Sequence, residues 1–129
     1  MKFFDIARAM AKLSTFSEEP REQTGAIIVL RNEVVSTGYN RNKSHPLQAW
    51  YARAMGRPDA IFLHAEMSAL TKINKQPDFS IAKLFVFRET KRGLGMAKPC
   101  EICTQALSEY GIKNIYYTTD NGYGYERWE

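Results

Sequence analysis

Two short stretches constrain this chain more than anything else in it: His64-Ala65-Glu66, and Pro99-Cys100-Glu101-Ile102-Cys103, each at the head of an amphipathic segment. Together they offer one imidazole and two thiols, a donor set suited to zinc, plus a carboxylate that is not needed as a ligand. Two thiolates and a neutral imidazole cancel the charge of the ion and leave its fourth tetrahedral position open, as catalytic rather than structural sites do. Water held there is acidified from a pKa of about 15.7 toward about 7. A carboxylate beside it can then collect and deliver the proton, and Glu66 is the acid placed for that task.

The spacing predicts how the ligands are carried. Cys100 and Cys103 lie three positions apart and share a face on a helix. Pro99 suits an opening helical position because its missing N–H has no partner there in any case. At such a start, unpaired peptide N–H groups and the macrodipole favour thiolate. His64 and Glu66 are two apart and do not share a face on a regular helix, so His64 is predicted at the helix boundary.

Two other uses of these residues are open on sequence grounds. Cys100 and Cys103 could form a redox pair, although no thioredoxin-like pattern adjoins them and a His-x-Glu lies upstream. A closed structural zinc site could draw on His45, the only other histidine. The order and spacing of the four residues match no finger or ribbon pattern.

At 129 residues the sequence is expected to make one domain spanning 1–129, with no disulfide required. No run approaches the roughly 20 apolar residues of a membrane span, and Asp5 with Arg8 interrupts any signal-peptide core. A reducing cytoplasm is the expected setting. The net charge of +4 permits an anionic substrate or nucleic acid without demanding either. Basic residues such as Arg8, Arg31, Arg41, Arg53 and Arg57 are scattered rather than blocked, which reads as a solvated surface.

Phe3, Ile6, Ala7, Met10 and Leu13 recur at helical spacing and predict an opening helix. Gly25 to Leu30 and Val34 to Tyr39 read as strands of a hairpin. Periodicity fails from Asn40 to Leu63, where Pro46, Gly56 and Pro58 punctuate a long loop with a short helix near Gln48 to Met55. A loop leading straight into His64 suits substrate binding. Ala65 to Ile73 predicts a helix closed by Asn74 and Pro77, and Ile81 to Phe87 a strand. A loop through Gly93 and Gly95 reaches the second metal-bearing helix, Glu101 to Tyr110, capped by Gly111. Ile112 to Thr118 is the last predicted strand, and Asn121-Gly122-Tyr123-Gly124 reads as a turn. This order implies a three-layer α/β/α fold: a mixed sheet of about five strands with helices on both faces. The Ile81 and Ile112 strands are expected to be parallel, with a right-handed crossover.

The paired motifs match the signature of zinc-dependent nucleobase deaminases. Over nearly its whole length the chain resembles the cytidine and deoxycytidylate deaminase superfamily. The likeness is carried by the leading helix, Thr24-Gly25-Ala26-Ile27-Ile28-Val29, Ser36-Thr37-Gly38-Tyr39-Asn40, His64-Ala65-Glu66-Met67-Ser68-Ala69-Leu70 and Pro99-Cys100-Glu101-Ile102-Cys103. It looks most like the deoxycytidylate branch, including enzymes carried by bacteriophages. The resemblance implies hydrolysis of deoxycytidine monophosphate to deoxyuridine monophosphate with loss of ammonia. It implies one zinc ion per chain with a catalytic water, held by His64, Cys100 and Cys103, and Glu66 as proton shuttle. It further implies that the Ala65 peptide N–H meets the base carbonyl and that Asn40 meets sugar or base, though Asn40 also reads as a turn residue.

Phosphate recognition would fall to Arg53 or Arg57, although a plain surface arginine is the stronger reading of each. The aromatics Tyr110, Tyr116, Tyr117, Tyr123, Tyr125 and Trp128 can stack on a base or bury the chain's end. Packing is the simpler reading, and Tyr117 is carried as a substrate-binding candidate. The expected partners are a nucleotide or nucleoside and further copies of the chain, with nucleic acid as the weaker alternative and no membrane. Three functions are therefore in play: a deaminase of free nucleotides, nucleosides or bases, a polynucleotide editor acting on transfer-RNA adenosine or single-stranded cytosine, and a noncatalytic zinc-stabilised binding module.

Overall fold

Ile27 and Val29 enter one apolar core while Ala26, Ile28 and Leu30 enter another, so strand β1 (Gln23–Leu30) divides the molecule into two packed layers. That is the period of two expected of a strand covered on both faces. The computed structural model describes residues 2–14, 23–41, 45–57, 63–73 and 79–128. Pro58, Asn74 and Pro77, which punctuate the sequence reading, lie outside them.

Helix α1 (Lys2–Ala11) buries Phe4, Ala7 and Ala11 at helical spacing against Ile27, Val29, Phe85 and Phe87. It sits so close that a Cβ on Gly25 would run into the Ala7 carbonyl. Strand β2 (Glu33–Tyr39) returns antiparallel to β1. The turn between them needs only Arg31 and Asn32, whose φ values of 51° and 67° fit a primed two-residue hairpin.

The opposite face carries helix α2 (Pro46–Ala54), helix α3 (Ala65–Leu70) and helix α4 (Glu101–Glu109). Their apolar residues, among them Tyr51, Ala52, Met67, Leu70, Ile102 and Leu107, pack on Ala26, Ile28, Leu84, Val86 and Ile115. Strand β3 (Lys83–Thr90) pairs antiparallel with β1 and parallel with β5 (Asn114–Thr119), the α4 crossover lying between the parallel pair. Strand β4 (Gly93–Leu94) pairs with β3, and β6 (Gly122–Arg127) closes the sheet antiparallel to β5. The order is β2-β1-β3-β5-β6 with β4 beside β3, a mixed six-stranded sheet.

The three-layer expectation is thus met. Three local readings change. Ile81 belongs to a 3-10 turn, Phe79–Ile81, and is half-exposed, so β3 begins at Lys83. The segment through Gly93 is not plain loop but folds back as β4. Gly122 to Gly124 is strand rather than turn, the reversal being made by Asp120 and Asn121. The C-terminal aromatics pack: Tyr116 stacks on Phe85 at 4.6 Å, Tyr125 lies 4.6 Å from Tyr116, and Tyr123 lies 4.5 Å from Phe4. No helix among the described residues is long and apolar enough to cross a membrane.

Candidate active site and metal centre

Both metal-bearing motifs sit on helix caps. His64 is the N-cap of α3, with φ −79° and ψ 158°, and Cys100 is the N-cap of α4, with φ −71° and ψ 172°. Extended backbone at the cap turns each side chain off the helix face, and His64 and Glu66 interact electrostatically despite their spacing. Pro99 accordingly precedes the cap rather than opening the helix, and Glu101 is the first helical residue.

The His64 cap is seated by its neighbours' hydrogen bonds. The Arg41 peptide N–H donates to the Leu63 carbonyl at 2.9 Å, joining the end of β2 to the approach to His64. The His64 N–H donates to Gln48 Oε1 on α2 at 3.3 Å. Farther along, Ser36 Oγ donates to the Ala69 carbonyl at 2.6 Å. Gly38 lets α3 lie directly on β2, since a Cβ there would stand 2.5 Å from the Ala65 carbonyl.

The Cys100 cap is held from the sheet. Thr118, fully buried on β5, donates its hydroxyl to the Gly95 carbonyl at 2.7 Å, and its carbonyl accepts the Ala97 N–H at 2.9 Å. Arg88 Nη1 donates to the Met96 carbonyl at 3.3 Å. Lys98 Nζ meets Glu126 Oε2 at 2.8 Å, so β6 braces the residue two places before Cys100.

These supports bring three ligand atoms together. His64 Nδ1 lies 3.5 Å from Cys100 Sγ and 3.3 Å from Cys103 Sγ, and all three fall within 4.8 Å of one another. Tetrahedral zinc with S and N ligands at about 2.3 and 2.0 Å would separate S from N by about 3.5 Å, so the donor set fits the ion. This is the one such cluster among the described residues, and His45 is not in it. The His45 ring instead caps α2, its Nδ1 accepting the Leu47 N–H at 3.1 Å. The Cys2His2 alternative therefore loses its fourth ligand. Both cysteines are free rather than bridged.

Glu66 is 6% exposed and lies within electrostatic reach of His64, Cys100 and Arg88. Burial raises its carboxyl pKa above the ordinary range, opposed by the charge of His64 and assisted by that of Cys100. The two thiols divide their protons unequally. The hydrogen bond from Cys103 pushes Cys100 down to about 3, while Cys103 as donor is pushed well above its ordinary value. Burial pushes the His64 imidazole down, but its hydrogen bond to Cys100 and the nearby negative charges raise it overall. An electron-rich ligand cluster with one buried carboxylate beside it can hold a metal cation and move a proton.

The remaining sequence candidates spread around this centre. Ala65 opens α3 and is buried. The Asn40 side-chain carbonyl accepts the Thr24 N–H at 3.0 Å and the Ser14 hydroxyl, so it pins the strand end. Arg53 is exposed on the last turn of α2, whereas Arg57, also exposed, acts electrostatically on His64. Tyr117 donates its hydroxyl to Glu126 Oε2 at 3.2 Å. Sequence reasoning missed Gln48 and Arg88. Gln48 left one trace, a polar residue at the i−3 and i−4 positions from the buried Tyr51 and Ala52.

Fold and ligand cluster together describe a zinc-binding hydrolytic enzyme of the deaminase kind. The family model for the cytidine and deoxycytidylate deaminase zinc-binding region matches residues 1–119, and the chain belongs to that family. Similar solved structures include the dCMP deaminase from the cyanophage S-TIM5, in apo form and with dCMP and dUMP. Each is 22% identical with a TM-score of 0.60, over 92% of this chain and 80% and 79% of those chains. The cytidine deaminase from Burkholderia pseudomallei is 17% identical, TM-score 0.65, over 98% of this chain and 90% of that one. A structure from a study of tRNA:A34 deaminases is 21% identical, TM-score 0.53, over 94% and 78%. At these identities the likeness carries the fold. No curated protein matches the chain.

Proposed function

We propose that this deaminase converts deoxycytidine monophosphate and water to deoxyuridine monophosphate and ammonia. The observation that carries the reading is the His64, Cys100 and Cys103 cluster with buried Glu66 at its side. The choice of nucleotide is supported by the S-TIM5 dCMP deaminase among the similar folds.

When bound, zinc supplies the Lewis acidity that makes water a nucleophile at neutral pH. Glu66 accepts the proton that water loses and passes it to the ring nitrogen adjoining the amine-bearing carbon. The water oxygen bonds to that carbon, Glu66 takes the remaining proton from the new hydroxyl and delivers it to the amine, and the carbon–nitrogen bond breaks to leave ammonia and a ring carbonyl. A raised carboxyl pKa suits a group that must both take and return protons. Ala65, first in α3, presents a peptide N–H with no intrahelical acceptor to the base carbonyl. Asn40 lies along the sugar or base, Arg57 or Arg53 meets the phosphate, and Tyr117 flanks the substrate. A cytoplasmic setting suits two free thiols at the site.

Ammonia release from cytidine, deoxycytidine, their monophosphates, adenosine, guanine and short oligonucleotides tests the substrate. Deoxycytidine monophosphate should exceed deoxycytidine at least about tenfold in kcat/KM, the discrimination of one phosphate contact worth about 1.4 kcal/mol. Preference for an oligonucleotide, with steep salt dependence, would replace this reading by an editing one.

A further inference from the structure

We propose that Gln48 is a positioning residue for the metal ligand His64, acting through that ligand's own peptide N–H.

Three hydrogen bonds fix the backbone around His64. The Leu63 carbonyl accepts from Arg41, the His64 carbonyl accepts the Ser68 N–H at 2.8 Å, and the His64 N–H donates to Gln48 Oε1 at 3.3 Å. The first two are backbone to backbone, so no side-chain substitution removes them. Of the three, only the third comes from a side chain, 16 residues away in the sequence.

Gln48 is fully buried, and its Nε2 has no hydrogen-bond partner among the described residues. A buried donor left unmatched is unfavourable, and a methionine of similar size would fill the same space without one. Packing alone therefore does not account for an amide at this position. Its carbonyl does: the His64 N–H can pair only with the oxygen, which also fixes which way the amide faces.

Helix α2 is a firm base for this contact. Tyr51, one turn beyond Gln48 and on the same face, donates its hydroxyl to Glu109 Oε1 at 2.9 Å. Glu109 ends α4, whose N-terminus bears Cys100 and Cys103. The α2 helix thus grips the histidine half of the metal site through Gln48 and the cysteine-bearing helix through Tyr51.

The experiment is chelator-driven zinc release from the loaded protein, followed with a colorimetric zinc indicator, alongside the urea midpoint of each variant. It needs no substrate, so it stands apart from the choice of nucleotide. Gln48→Met should release zinc about 10- to 100-fold faster, the usual effect of losing a partner that orients a ligand. Gln48→Glu, neutral at this depth of burial, keeps a carbonyl acceptor for the His64 N–H and should release zinc more slowly than Gln48→Met. A Gln48→Met protein that holds zinc as tightly as the parent overturns the proposal. If that variant does not fold, Gln48→Asn, which draws the oxygen back by one methylene, is compared with Gln48→Glu. Faster release from the asparagine variant alone supports the role, and equal release from both refutes it.

Discussion

Nδ1 of His64 and Sγ of Cys103 lie 3.3 Å apart across 39 positions of sequence, and Cys103 is completely buried. The fold accounts for the meeting: the hairpin of β1 and β2 seats α3, and α4, the connection from β3 to the parallel β5, packs beside α3 and α2 on the same face of the sheet.

Metal removal should therefore act on structure as well as chemistry. Dialysis against a strong chelator should abolish ammonia release, lower the melting temperature, and be reversed by added zinc. Cys103→Ala should do the same irreversibly. Because thiolates and a neutral imidazole are the binding forms, zinc retention should fall as the pH is lowered. Zinc content and thermal melting measured side by side check this, and an unchanged melting temperature in the stripped protein would count against it.

Replacing Glu66 separates binding from chemistry. Glu66→Gln keeps size and burial, so zinc content and melting should match the parent. Turnover should drop by about 100- to 10,000-fold, the range for loss of a general acid–base group. Retained turnover would remove the proton shuttle.

Gly38→Ala tests the close contact of β2 with α3. The added methyl would press on the Ala65 carbonyl at 2.5 Å and on the Ala69 peptide nitrogen. Overpacking of this kind costs about 1 to 3 kcal/mol, readable as a lower urea midpoint. Zinc should also leave faster, because α3 carries His64 at its head.

The Glu126 carboxyl is held below its ordinary range, first by the hydrogen bond from Lys98 and then by that from Trp128. A depressed folded pKa means the stabilisation is complete above the ordinary carboxylate value of about 4.3 and is lost as pH falls through the folded value. Glu126→Gln should therefore be less stable than the parent at neutral pH and equal to it in strong acid. Urea midpoints at both pH values decide the matter, and a gap of the same size at each would show that the charge plays no part.

Much of the site was legible before any coordinates because its chemistry is local. Two residues apart on a helix, His64 and Glu66 could share a site only if one left the helix, and His64 is indeed the cap. The strand β6 was hidden for the opposite reason. Gly122-Tyr123-Gly124-Tyr125 has the composition of a turn, and only its pairing with β5, with Tyr123 and Tyr125 laid on Phe4 and Tyr116, reveals the alternation. The 3-10 turn at Ile81 likewise interrupts an apolar run that looks continuous in sequence. Gln48 was illegible because its meaning is a single long-range hydrogen bond, which composition and periodicity do not encode.

Lys98 and Glu126 meet at the surface, where solvent screens them, so their pair only supplements what β5 already does. Thr118 alone ties the approach to Cys100 twice, at Gly95 and at Ala97, from inside the sheet. The cysteine half of the site therefore inherits its rigidity from a central strand, and loss of the outermost strand would loosen the surface before it loosened the ligands.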